Sequence, residues 1–196
     1  MPSNDTSKHT SSRSPAPKAP AGVVVWTPLI RITHWLLAVT TLTAYFTANI
    51  YNDIHNTAGY TVIGLLILRV FLGVSGQHFA RFKYFPLKPR VVLSYLRDIA
   101  RGRPHRYLGP NPAGAAMAVA LLVLLAISAA TGHLQITLMF FGVAWVQDLH
   151  TYSSHIAFAL VILHVAGVLL MCWLLKENLV KAMFTGRKHA PKKSHP

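Results

Sequence analysis

Four long apolar stretches alternate with shorter polar or basic segments along the chain. Each can cross a bilayer core, which takes about 20 apolar residues as a helix. The pattern predicts spans over about 29–50, 53–76, 112–132 and 148–175. Asn52 or Asp53 is placed to cap the second span. Asn111 before Pro112 combines an N-cap with proline at the first helical position. Residues 1–22 are mostly Pro, Ser, Thr, Ala and Lys and read as a disordered tail. A signal peptide would need an apolar run and a cleavage site. Between the second and third spans, KPRVVLSYLRDIAR (88–101) puts Val91, Val92, Tyr95, Leu96 and Ile99 on one helical face and Arg90, Arg97 and Arg101 elsewhere. That is the pattern of a short amphipathic helix on the membrane surface; a partner-docking helix is the alternative. The expected fold is all-α, an integral membrane four-helix bundle over 23–188, followed by a basic tail at 189–196.

Composition agrees. Of 196 residues, 53% are hydrophobic and 12% charged, about half the charge usual in soluble domains. Mean hydropathy is +0.40. A soluble globule and a largely disordered chain are both excluded. A net charge of +14 first suggests nucleic acid, but its distribution points elsewhere. Lys8, Arg13, Lys18 and Arg31 precede or open the first span, and Arg69 lies late in the second. Eight more Lys and Arg fall from Arg81 to Arg106 and six from Lys176 to Lys193, with none around 50–53 or 133–148. This positive-inside pattern places both termini and the long second loop in the cytoplasm. Attraction to anionic lipid headgroups accounts for the basic charge, and no nucleic-acid partner is expected. Cys172 is the sole cysteine, so the chain holds no internal disulfide, no multi-thiolate metal site and no C-x-x-C-H for covalent haem.

Ionisable side chains inside spans mark functional sites by default. Four histidines qualify: His34, His55, His150 and His164. His34 lies one turn into the first span, near the cytoplasmic face, and His55 opens the second near the periplasmic face. The fourth span enters from the periplasm with His150 at its start and His164 14 residues deeper. That is roughly 21 Å along the axis, with both rings on one helix face. Depth alone then pairs His55 with His150 and His34 with His164. Facing neutral imidazoles are the axial ligand set of low-spin haem, and bundles build such sites from facing helices. Zinc wants four ligands. Small residues such as Ala44, Ala48, Gly59, Gly64, Ala157 and Gly167 suit either a macrocycle or close helix packing. His155 lies about 140° round the helix from His150, off the ligand face. His133, ending the third span, reads as a surface or supporting group. Arg31, Arg69 or Arg106 is suited to a haem propionate, or snorkels to headgroups. The uncharged, apolar connection 134–147, with Trp145, reads as an interfacial anchor. Its functional alternative is a cover over the periplasmic site, bordering a quinone or electron-donor site.

The segments WTPLIRITHW (26–35), HNTAGYTVIGLLILR (55–69), RYLGPNPAG (106–114), LHTYSSHIAFALVILHVAGVLL (149–170) and ENLVKAMFTGRK (177–188) resemble the bacterial cytochrome b-561 and Ni,Fe-hydrogenase b-type cytochrome subunit family. The resemblance implies a four-helix diheme cytochrome b of the bacterial inner membrane, holding two haem b groups. It implies electron exchange between quinone or quinol and a periplasmic donor or acceptor, such as a c-type cytochrome. It carries the axial-ligand role onto His34, His55, His150 and His164, and not onto His155, where relatives tend to have a small or amide residue. Two alternatives stand beside this function. One is a superoxide:quinone oxidoreductase of the same fold, which some relatives are; the lack of Lys and Arg at the periplasmic face counts against it. The other is a non-redox haem or metal carrier or sensor subunit. Hydrolytic or group-transfer chemistry has little to work with, because Asp and Glu total five and none lies in the middle of a span.

Overall fold

The computed structural model describes residues 22–76 and 81–188. Residues 1–21 of the expected N-terminal tail and the whole tail 189–196 lie outside the described residues. The elements are β1 (Val23–Val24), α1 (Pro28–Thr47), α2 (Asn52–Ser75), a 3-10 turn (Phe82–Tyr84), α3 (Pro89–Ala100), α4 (Pro112–Leu134), α5 (Ala144–Leu175), α6 (Leu179–Thr185) and β2 (Arg187–Lys188). Helices α1, α2, α4 and α5 are the four predicted spans, with mean hydropathy from 1.2 to 2.6 over their most apolar 18 residues. Their apolar side chains turn largely outward, as Phe71, Leu163 and Trp173 do. An outward apolar surface is what a lipid solvent requires.

The helix ends depart from the sequence expectation in three places. Asn52 and Asp53 do not cap α2; both lie inside it, behind Tyr51, whose carbonyl already accepts from His55 N at 2.9 Å. Asp53 instead places a negative charge in the first turn, which the helix dipole favours. Helix α1 stops at Thr47 rather than near Ile50. Helix α5 begins at Ala144 rather than Asp148, just after Gly142 turns the chain with φ of 74°. The reason is Val146, whose side chain is fully buried and draws one more turn into the helix. The expected cap at Asn111 is present: its Oδ1 accepts from Gly114 N at 2.7 Å.

Helices α1 and α2 form one hairpin, α4 and α5 another, and the two meet along α2 and α4. Helix α5 lies on α4 but does not pack closely on α1 or α2. Rings span part of the gap, with Tyr45 of α1 stacked on Phe158 of α5 at 4.1 Å. One end of the bundle, here the terminal end, carries β1, α3, α6 and β2; the opposite, distal end carries 48–51 and 135–143.

At the terminal end α3 packs on α4. Its Tyr95 is buried and donates from its hydroxyl to the His105 carbonyl at 3.2 Å. That burial, with Tyr107 and Asp98 nearby, pushes the Tyr95 phenol up to about 12. Leu96, on the same apolar face in the sequence pattern, is exposed together with Leu93. Helix α6 and the two short strands are additions to the sequence expectation. Lys176, in the left-handed region at φ of 50°, breaks α5, and Asn178 Oδ1 restarts a helix by accepting from Lys181 N at 2.7 Å. Gly186 ends α6 at φ of 76°, where a Cβ would run into the Trp26 carbonyl. The strands β1 and β2 pair antiparallel, Val23 with Lys188 and Val24 with Arg187. A bidentate pair from Arg106 to Glu177, at 3.0 and 2.9 Å, ties the α3–α4 connection to the end of α5. Lys188 Nζ donates to the carbonyls of Tyr107 and Gly109. Burial pulls this ammonium below its usual range, with Glu177 opposing and Arg106 adding to the effect.

Candidate functional site

The rings of His34 on α1 and His164 on α5 face each other with centroids 6.3 Å apart. Those of His55 on α2 and His150 on α5 lie 6.1 Å apart. Both pairings expected from depth are therefore brought together, one towards each end of the bundle. They face across the helix pairs that do not pack closely. The spacing has a chemical meaning. A metal–imidazole bond is about 2.0–2.1 Å and the ring centre lies about 1.1 Å beyond the nitrogen, so two imidazoles trans to one ion stand about 6.3 Å apart. Among the described residues no group of three or more His, Cys, Asp or Glu converges. The donor sets are thus pairs, which suits axial ligation of haem iron rather than four-coordinate zinc.

The distal pair is held from behind. His55 Nδ1 donates to the Ala44 carbonyl and His150 Nδ1 to the Ser128 carbonyl, both at 2.8 Å. These bonds put the proton on Nδ1 and leave each Nε2 lone pair free, the second-shell support seen at metal-bound histidines. Ser154 Oγ donates to the His150 carbonyl at 2.7 Å and pairs with Ser128 Oγ at 2.6 Å, locking α4 to α5 at this level. Gly132 completes the seat: a Cβ there would lie 3.0 Å from His150 Cε1 and 3.1 Å from Nδ1. The pair lines a cavity of about 550 Å³, with Gly59, Ala157 and Tyr45 in its wall. That is within the size range of ligand and cofactor sites. A Cβ at Gly59, Gly64 or Gly167 would meet nothing within 4 Å. These glycines border open space, not a packed neighbour.

The terminal pair is surrounded differently. The Trp35 ring stands edge-on to His34 at 5.5 Å and stacks on Phe184 of α6 at 4.5 Å. Arg31 Nη1 donates to the Phe184 carbonyl. The Arg69 guanidinium lies over the Phe82 ring, 5.7 Å from its centroid. Gly73 leaves the space that ring fills. Among the described residues, Arg31 Nε, Trp35 Nε1 and Arg69 Nη1 are buried without a hydrogen-bond partner. An unpaired buried donor costs about 1–3 kcal/mol, so three together call for an acceptor; two arginines suit a carboxylate. Of the three arginines singled out in the sequence, Arg31 and Arg69 keep free donors beside the histidines. Arg106 belongs to the clasp with Glu177.

His155 stays off the ligand face: Nδ1 donates to the Thr151 carbonyl at 2.7 Å and the ring meets Tyr45 edge-on. His133 Nδ1 lies 3.3 Å from the Tyr60 hydroxyl, at the rim of the distal cavity. Of the apolar connection, Gln135 and Ile136 line the cavity, while Leu138, Met139 and Phe141 project outward with 103%, 80% and 79% exposure. The sequence reading missed Gly132, Ser128, Ser154 and Trp35. Gly132 could have been found by the same depth arithmetic that paired the histidines. The carbonyls of Ala44 and Ser128 carry no side-chain signal at all.

Residues 25–186 match a family model described as prokaryotic cytochrome b561. No curated protein and no solved structure matches the chain.

Proposed function

The chain belongs to the prokaryotic cytochrome b561 family, and from that premise we propose that it is a two-haem cytochrome b carrying electrons across the bacterial inner membrane, between the quinone pool and a periplasmic redox partner. Membership and the four apolar helices already make it a multi-pass bacterial membrane protein and a b-type cytochrome of membrane electron transfer. The observation that carries the finer reading is the two imidazole pairs at 6.3 and 6.1 Å, held across an open bundle interior.

His34 and His164 hold one haem towards the terminal end; His55 and His150 hold the other towards the distal end. When bound, haem supplies one-electron chemistry at its iron. The chain sets everything else. The Ala44 and Ser128 carbonyls fix the tautomer and plane of the distal rings. Arg31, Arg69 and Trp35 would offer the carboxylates of a haem held there donors that are unpaired among the described residues. The 14 residues between His150 and His164 stage the sites roughly 21 Å apart along α5, so a membrane crossing becomes short hops. The apolar helix faces exclude bulk water from the path. The positive-inside rule puts the terminal end in the cytoplasm. Quinone is the membrane-soluble partner, and the outward Leu138, Met139 and Phe141 mark the distal end. The periplasmic partner is a c-type cytochrome or a carrier of that kind.

The superoxide:quinone reading is kept second, because no Lys or Arg lies in the distal connections to steer an anion. A haem carrier needs exchangeable ligands, and His55 and His150 are anchored on both sides. The test is electron transfer across sealed proteoliposomes, with ferricyanide inside and a membrane-impermeant reductant outside. Haem-loaded wild type consumes the internal ferricyanide; His34→Ala and His150→Ala do not. Equal consumption by wild type and both variants would defeat the proposal.

A further inference from the structure

The two imidazole pairs sit in unlike surroundings, and the differences act in one direction. In the distal pair both rings give their Nδ1 proton to a carbonyl. Among the described residues, neither His34 nor His164 has a hydrogen-bond partner at either ring nitrogen. Donation from the far nitrogen makes an imidazole a more basic ligand. A more basic ligand favours ferric over ferrous iron, so the distal site resists reduction. Charge adds to this. Reduction brings one negative charge into the site, and fixed cations in a low-dielectric interior favour it. Arg31 is one turn from His34 on α1, and Arg69 lies late in α2, at the same end of the bundle. Both are permanently charged. The other charges near the terminal end are mostly positive as well, Arg106 among them being paired with Glu177. The groups facing the distal pair differ. Helices α2 and α5 bring Asp53 and Asp148, each two residues from a histidine of the pair and exposed; α2, α4 and α5 bring the polar groups Tyr60, His133 and His155 respectively; α1 brings no charged residue to that end.

Taking the haem reading above as its basis, we infer that the distal haem has the lower midpoint potential and the terminal haem the higher, so that the fold sets electron flow from the distal to the terminal end. In that step one electron leaves a ferrous centre, which becomes ferric, and reduces a ferric centre to ferrous. No bond forms or breaks and no proton moves. Arg31 and Arg69 are positioning residues for this bias, as are the carbonyls of Ala44 and Ser128.

The experiment is a spectroscopic redox titration of the purified, haem-loaded full chain, with haem counted per chain beforehand. Wild type shows two one-electron waves separated by at least tenfold in redox equilibrium constant, about 59 mV. Arg69→Gln lowers the upper wave and leaves the lower in place, and Arg69→Lys restores the upper wave. Gly132→Ala disturbs the His150–Ser128 bond and raises the lower wave alone. If Arg69→Gln shifts the lower wave, if Gly132→Ala shifts the upper, or if the waves coincide, the inference is overturned while a two-haem count leaves the functional reading standing. Should the count find no haem, both fall together.

Discussion

At Gly132 the α4 backbone comes so close to His150 that a single methyl group lands within van der Waals distance of the ring. Gly59 is the reverse case, a glycine facing the open cavity with nothing near its missing side chain. The two positions predict different failures. Gly132→Val displaces the His150 ring and reduces bound haem from about two per chain to about one, read by pyridine haemochrome assay after purification. Gly59→Leu leaves the haem-free bundle as stable as wild type, because nothing is struck, yet it lowers distal haem occupancy by filling the cavity. A Gly59→Leu variant with full haem content would mean that the cavity is not the haem site. The four histidines were legible in the sequence, because helix rise and turn per residue convert sequence separation into depth and direction. Their supports were less so. The Tyr60–His133 bond crosses from α2 to α4, and seeing it requires knowing which helices are neighbours.

Among the elements, α3 shows where helical periodicity stops being informative. Its residues 91, 92, 95 and 99 do turn inward, with Tyr95 the most buried. Leu96 shares the apolar pattern but is exposed. Tyr95 also gives the helix a pH limit. Its phenol is raised from 10.0 to about 12, so the folded state keeps the proton more tightly than the unfolded. The stabilisation from this group is complete below pH 10 and is lost as pH climbs towards 12. Limited proteolysis of the 101–106 segment is therefore expected to accelerate over that window in wild type. Tyr95→Phe cleaves slightly faster at pH 8, having lost a hydrogen bond worth about 1 kcal/mol, and lacks that part of the alkaline step. Identical pH profiles would refute the assignment. At the next element, Asn111→Ala removes the cap on Gly114 N and is expected to cost about 1 kcal/mol, measurable by thermal unfolding in detergent. The α6 clasp escaped the sequence reading because it is short and rests on Asn178, Gly186 and the Arg106–Glu177 pair, which no periodicity announces.

The whole molecule is two helical hairpins joined along α2 and α4, with α5 held off α1 and α2. Span number and order were legible because lipid demands long apolar helices; the separation within the bundle was not, since Gly59 and Gly167 are equally compatible with tight packing. The charge asymmetry makes a prediction at this scale. With Cys172 replaced by Ser, a cysteine at Leu138 is labelled by an impermeant maleimide added outside intact cells, and one at Leu93 only after lysis. The reverse pattern would invert the proposed orientation. The central claim is that the two imidazole pairs are two haem sites, and its most direct test is a dithionite-reduced minus oxidised spectrum with haem quantified per chain. Wild type is expected to give sharp b-type bands and about two haems, and His34→Ala and His150→Ala about one each, from different sites. A wild-type protein without haem, made in a host able to supply it, would contradict the account, as would two variants that lose the same haem.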